Sequence, residues 1–181
     1  MRIILLFLTF YLFFSFCFYP PVAYSQGSTE CDESSLQKRR SKGWCPKAEL
    51  PGGNFERARF DHFNFEGANL EGANLKKANL RQAKLKKINL KKANLEGAYL
   101  LSADLHKADL RKAKLSFAHL EEANLKNTDL RNANLQNANL KGANLKNANL
   151  KGAKLKGAHF EGARWINGKK CKTGSVGKCI L

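Results

Sequence analysis

Two short stretches carry residue types suited to nucleophilic chemistry. Ser35-Leu36-Gln37-Lys38 has the Ser-x-x-Lys spacing in which a lysine activates a serine hydroxyl, and Lys172-Thr173-Gly174 matches the Lys-Thr-Gly that accompanies it in serine acyl transfer. The third element of that chemistry, Ser-Asp-Asn, is absent from the sequence, and the two pieces lie near opposite ends of the chain. Gly177-Lys178-Cys179 has the ending of a phosphate-binding loop. Lys172 stands where the upstream glycine is required, however, and Cys179 replaces the hydroxyl that would hold magnesium. No catalytic residue, cofactor-binding residue or metal ligand is assigned from these fragments, and the chain is not read as an enzyme.

Charge is the stronger chemical signal. The 181 residues contain 32 Lys+Arg against 15 Asp+Glu, a formal net charge of +17. The stretch from Ala73 to Lys92 carries Lys76, Lys77, Arg81, Lys84, Lys86, Lys87, Lys91 and Lys92 and no acidic residue. A surface of one sign attracts polyanions. It also excludes an acidic mimic of nucleic acid.

The N-terminus bears on where that charge acts. Arg2 is the only charge before Glu30, and Ile3 to Phe18 is apolar apart from Thr9 and Ser15. Pro20 and Pro21 end the run, and Ala23-Tyr24-Ser25 puts small residues where a signal peptidase reads. Residues 1–25 are therefore expected to be a signal peptide cleaved before Gln26, with a periplasmic or secreted product. The rival is an uncleaved anchor, for which this run is short against the roughly 20 residues of a span. Cleavage leaves a charge of +16 and four cysteines, Cys31, Cys45, Cys171 and Cys179. An even count in an exported chain points to disulfides. Zinc is the alternative, and no Cys-x-x-Cys pair supports it.

The elements that must position these groups follow a period of five. From Phe55 to Trp165 every fifth residue is Leu or a large aromatic, which makes 23 consecutive units. Ala lies two residues before the centre in 19 of them, the exceptions being Gly53, Phe63, Ile88 and Thr128. Asn or Asp usually stands just before the centre, as in Ala68-Asn69-Leu70 and Ala103-Asp104-Leu105. In a helix, five residues turn about 500°, a net 140°, so the Leu column would smear around the cylinder. A strand repeats every two residues, and five is odd. Five fits a square coil, with one unit per side. The Ala and Leu point inward, the intervening Asn points outward, and the last two residues turn the corner. Four units close a coil of 20 residues, and the coils stack by backbone hydrogen bonds.

These units resemble the pentapeptide-repeat family, whose consensus is Ala-Asp/Asn-Leu-x-x. The resemblance covers residues 53–167 and implies an all-β fold, a right-handed quadrilateral β-helix of about 5.75 coils. At roughly 4.8 Å per coil the rod would be about 27 Å long. The aromatic centres Phe55, Phe60, Phe65, Phe160 and Trp165 are expected to plug its two ends. Residues 26–52 and 168–181 would form short caps. A rod of that length keeps Cys31 and Cys45 apart from Cys171 and Cys179, so the implied pairs are Cys31–Cys45 and Cys171–Cys179. Some members of the family imitate duplex DNA and inhibit gyrase through an acidic surface, and this chain departs from them in sign. Members can also dimerise through an end coil. The caps expected here favour a monomer, with an end-to-end dimer as the alternative.

The 20-residue coil lets the faces be counted. Units centred on 55, 75, 95 and so on form the first face, those on 60 and 80 the second, those on 65 and 85 the third, and those on 70 and 90 the fourth. Their net charges over residues 53–167 are +4, −1, +5 and +3. The third and fourth faces share an edge on which Lys86, Lys126 and Lys146 form one column, with His106 between, and Lys91, Arg111, Arg131 and Lys151 form another. With Lys107 and Lys112 and the cations of residues 73–92, these make the candidate anion-binding surface. Ladders of like charge repel, so a fold seeking only stability would interleave Glu. The expected partners are an anionic envelope polymer, a lipid headgroup met by peripheral membrane contact, or an acidic protein. Nucleic-acid binding would be nonspecific, since no recognition helix or stacking platform interrupts the rod. A spacer or protein-interaction scaffold with no anion ligand is the alternative function. His119 and His159 share an outward column two coils apart, too far for one metal, and surface solvation is the expectation for them.

Overall fold

The computed structural model describes residues 31–37 and 43–181. The predicted signal peptide, residues 1–25, lies outside the described residues, as does part of the predicted N-terminal cap. Parallel bridges link each outward residue to the one twenty positions on, from Trp44↔Asn64 and Asn64↔Lys84 through to Asn144↔Arg164. Four short sides per coil, stacked in this register, make a quadrilateral solenoid.

The repeat is explained by four backbone bonds per unit, one of them from the second corner residue, as Lys77 N donates to Glu96 O at 2.9 Å. The centre donates upward, as Leu75 N does to Asn94 O at 2.7 Å, and the outward residue donates downward, as Asn94 N does to Ala73 O at 2.9 Å. The corner closes when Ala78 N donates to Leu75 O at 3.0 Å. Within each such turn the second corner residue has a positive φ, which marks a type II geometry. Glycine meets that demand at Gly72 and Gly97, but Lys77, Lys87, Lys92, Lys107 and Lys112 adopt it at φ values from 56° to 60°. The outward Asn adds a polar ladder. Asn74 Nδ2 donates to Asn54 Oδ1 at 3.0 Å, and Asn74 Oδ1 accepts from Lys76 N at 3.2 Å.

Inside, Leu and Ala alternate, and from Leu70 to Leu145 the centres are at most 2% exposed. Each fully buried Leu contributes roughly 1.5–3 kcal/mol. Thr128 takes an Ala place and satisfies its hydroxyl by donating to Leu105 O at 2.8 Å. Gly53 takes another, because a Cβ there would fall 2.5 Å from the ring of buried Phe55.

The solenoid begins earlier than residue 53. Cys45 and Leu50 occupy centre positions, buried at 0% and 6% exposure, and Cys45 N donates to Asn64 O at 2.8 Å. The phase of five runs back through Gly43-Trp44-Cys45-Pro46-Lys47, but a cysteine centre and two prolines hide it. Phe55, Phe60, Phe63 and Phe65 therefore form an interior aromatic layer, with Phe60–Phe65 centroids 5.1 Å apart. Helix α1, Glu33–Gln37, closes that end by burying Leu36. Asp32 caps it: its Oδ1 accepts from Ser35 N at 2.6 Å, and this bond holds the Asp32 carboxyl below its ordinary pKa. The Cys31–Cys45 disulfide, with Cα atoms 5.6 Å apart, ties the helix to the first coil.

At the other end the chain turns back on the last coil through antiparallel bridges His159↔Val176 and Arg164↔Lys170. Phe160 and Trp165 meet edge to face at 5.0 Å. Cys171 and Cys179 are bonded, with Cα atoms 5.2 Å apart.

Candidate functional site

Ser35 and Lys172-Thr173 sit at opposite ends of the solenoid. The Ser35 hydroxyl donates to Asp32 O at 2.9 Å, within the helix cap, and Lys38 lies outside the described residues. A shallow groove at the C-terminal end is lined by Glu161, Lys170, Lys172 and Thr173. Among the described residues no group of His, Cys, Asp and Glu is arranged to hold a metal ion.

The cations of the candidate surface lie on stacked coils, and more of them are paired with carboxylates than the face charges imply. Residues 73–92 contain no carboxylate, yet the coils above and below supply them. Lys76 Nζ lies 3.2 Å from Glu96, Lys86 Nζ 3.4 Å from Asp104, and Lys91 Nζ 3.1 Å from Glu71. Arg111 Nε donates to Asp109 Oδ1 at 2.9 Å, and Arg131 Nε to Asp129 Oδ1 at the same distance. Arg111 also reaches Asp129 at 3.8 Å, so the two pairs form one network on the fourth face. Burial alone would raise the Asp109 carboxyl, but its bonds to Arg111 outweigh that and hold it below its usual range. The Asp129 carboxyl is lowered chiefly by Arg131, and that of Glu71 by Lys91. The expected run of unrelieved like charge is thus corrected. A count within one coil misses acids from adjacent coils, which the 20-residue stacking brings alongside.

Arg81 is engaged differently. Its guanidinium carbon stands 4.5 Å over the Tyr99 ring, and its Nη1 donates to Asn79 Oδ1 at 3.2 Å. Among the described residues, Lys77, Lys84, Lys87, Lys92, Lys107, Lys112, Lys126, Lys146 and Lys151 have no carboxylate within ion-pair distance. Lys87 and Lys107 are coil neighbours at the corner between the third and fourth faces, and Lys92 and Lys112 at the next corner. These four lysines flank the fourth face. All are exposed and all hold left-handed backbone. Lys84 projects from the middle of the third face, and Lys77 stands apart, at the corner of the first and second.

Three further features are not evident from the charge pattern. On the second face, Tyr99 and His119 replace the outward Asn and stack at 4.8 Å, with planes 8° apart. His119 Nδ1 is 3.6 Å from Glu121 Oε1, which also accepts from Asn139 Nδ2 at 2.6 Å. His119 is thus packed and partnered, beyond the solvated state expected for it. Phe117, 59% exposed, stands at the adjoining corner, and Trp44, 64% exposed, occupies the outward column of the third face. The coil period contained the signal for the stack, since Tyr99 and His119 are twenty residues apart.

The sequence matches the "Pentapeptide repeats" family in 8 copies, over residues 54–91, 78–116, 88–127 and 123–162. Several solved structures are similar. HetL, a pentapeptide repeat protein involved in heterocyst differentiation regulation in the cyanobacterium Nostoc, is 33% identical with a TM-score of 0.47, over 70% of this chain and 63% of that one. This chain therefore spans less than two thirds of HetL's length. A pentapeptide repeat protein of the Arabidopsis thaliana thylakoid lumen is 28% identical over 70% of this chain and 71% of its own, with a TM-score of 0.43. Rfr23 of the cyanobacterium Cyanothece is 31% identical over 74% and 99%, with a TM-score of 0.40. A search of curated proteins found no match. The family match spans most of the coils whose register is described above, and the chain belongs to the pentapeptide-repeat family, with its right-handed quadrilateral β-helix.

Proposed function

We propose that this protein is an exported, non-catalytic scaffold whose third and fourth faces bind an anionic component of the cell envelope. The observation that carries this reading is the cluster of Lys84, Lys87, Lys92, Lys107 and Lys112 on adjacent coils, none with a carboxylate partner among the described residues. Four of them occupy left-handed positions where an L-residue costs roughly 1–2 kcal/mol, and glycine fills the equivalent place in neighbouring units. Export is supported by the two disulfides, which persist in oxidising compartments.

The test is a salt titration of binding to lipopolysaccharide, polyphosphate and duplex DNA. Wild-type protein is compared with a variant carrying Lys87→Glu, Lys92→Glu, Lys107→Glu and Lys112→Glu. Wild-type affinity for the envelope polyanion should fall steeply with salt, and the variant should lose at least about tenfold at low salt. Equal binding by the two proteins, or none by either, sinks the reading. Selection would then turn to the second face, where Tyr99, Arg81 and exposed Phe117 have the residue types of protein-interaction hot spots. A partner held there should survive high salt.

A further inference from the structure

Exposed apolar residues stand at both ends of the most basic face. Bridges place Trp44, Asn64, Lys84, Asp104, Asn124, Asn144 and Arg164 in one outward column of the third face. Ile166 follows Arg164 at the corner of that face and is 38% exposed, while Trp44 is 64% exposed. Six coil steps separate Trp44 from Arg164, about 29 Å at roughly 4.8 Å each. Lys84, Lys86, Lys126 and Lys146 lie between the two ends. Asp104 is held against Lys86 at 3.4 Å, which leaves Glu66 as the acid of the strip without an ion pair among the described residues.

We infer that the third face lies flat on an anionic lipid bilayer, with Trp44 and Ile166 as its two apolar anchors. This rests on the proposal that the basic edge binds anions, and it names their source as lipid headgroups. A soluble polyanion offers the lysines their counter-charge but nothing for an indole or an isoleucine. A bilayer interface offers both in one plane: phosphate at the surface and hydrocarbon just beneath. Trp is suited to that boundary, because its ring is apolar while its N–H can stay with the headgroups. Juxtaposed lysines each strengthen attachment to an anionic leaflet by about fivefold. The contact is peripheral, since no described helix is long and apolar enough to cross a membrane.

The experiment uses protein exported by its expression host, with the N-terminus read by mass spectrometry so that no apolar leader contributes. Binding is measured to phosphatidylcholine vesicles with and without phosphatidylglycerol, and separately to polyphosphate. Wild type should bind only the anionic vesicles, with a blue shift of tryptophan emission that Trp44→Ala abolishes. Trp44→Ala should lose about tenfold in vesicle affinity while its polyphosphate affinity stays unchanged. Ile166→Ser is a second variant at the opposite end and should lose several-fold on its own. If Trp44→Ala binds anionic vesicles as wild type does, with polyphosphate binding intact, the lipid inference is wrong and the anion reading stands. If wild type binds neither vesicles nor polyphosphate, the anion reading itself fails and takes this inference with it.

Discussion

Lys107 shows the tension between stability and surface chemistry. Its φ of 59° is one glycine adopts freely, and glycine holds the second corner position at Gly67 in the same column. Lys107→Gly removes the left-handed penalty but adds chain entropy to the unfolded state. The net gain should be up to about 1 kcal/mol, read as a higher denaturation midpoint with an unchanged slope. Lys107→Val should move the midpoint the other way, since a β-branched residue tolerates that backbone least. A stability for Lys107→Gly at or below wild type would show that the Lys107 side chain adds stabilising contacts. The same substitution should weaken polyanion binding, so one residue separates the two demands. At this scale the sequence was legible in part. The inward Leu and Ala were plain, because their types repeat. The pairing of Lys91 with Glu71 was not, because the two are twenty residues apart and a net charge per face does not show which coil neighbours pair.

The capping elements depend on covalent ties more than on their own propensity. Helix α1 is five residues long and could not persist alone. Its anchors are buried Leu36, the bond from Asn54 N to Glu33 Oε1 at 3.0 Å, and the Cys31–Cys45 disulfide. That disulfide closes a sequence separation of 14, for which chain entropy gives about 3 kcal/mol. Cys31→Ala should therefore expose α1 and the coil beneath it to protease and hydrogen exchange, while coils beyond the Phe60–Phe65 layer keep their protection. Each coil touches only its neighbours, so loss at one end stays local. Uniform loss of protection along the rod would contradict this. The cysteine pairs were readable because the length of the rod keeps Cys31 and Cys45 apart from Cys171 and Cys179. The true start of the solenoid was not, because Cys45 stands where Leu is expected and Pro46 and Pro51 read as loop residues.

The whole molecule converts sequence phase into surface geometry, and a deletion series tests both the fold and the proposed binding face. Removing residues 118–137 takes out one full coil of twenty. The flanking units keep their faces, Lys146 stays on the edge of the third and fourth faces, and Ile166 stays at the corner of the face that carries Trp44. Removing residues 133–137 takes out a single unit. The inward pattern of Ala and Leu continues unbroken, so a solenoid still forms, but everything beyond turns back by one face. Lys146 and Ile166 then move to the second face, away from Trp44. Both deletions should unfold cooperatively, with midpoints close to that of wild type and to each other. Their binding should fall for different reasons. The coil deletion loses Lys126 from the third face, and Arg131 together with its partner Asp129, so its preference for anionic vesicles should stay, reduced about fivefold. The shorter deletion brings Lys151 to the place Lys146 leaves, so the third face keeps its lysines and loses Ile166 alone, and vesicle affinity should fall several-fold while polyphosphate affinity stays at the wild-type level. Net charge cannot produce that fall, because the five deleted residues, Ala133 to Asn137, carry no charge at all. If binding instead tracks total charge, the rod acts as a diffuse polycation and its faces carry no separate role.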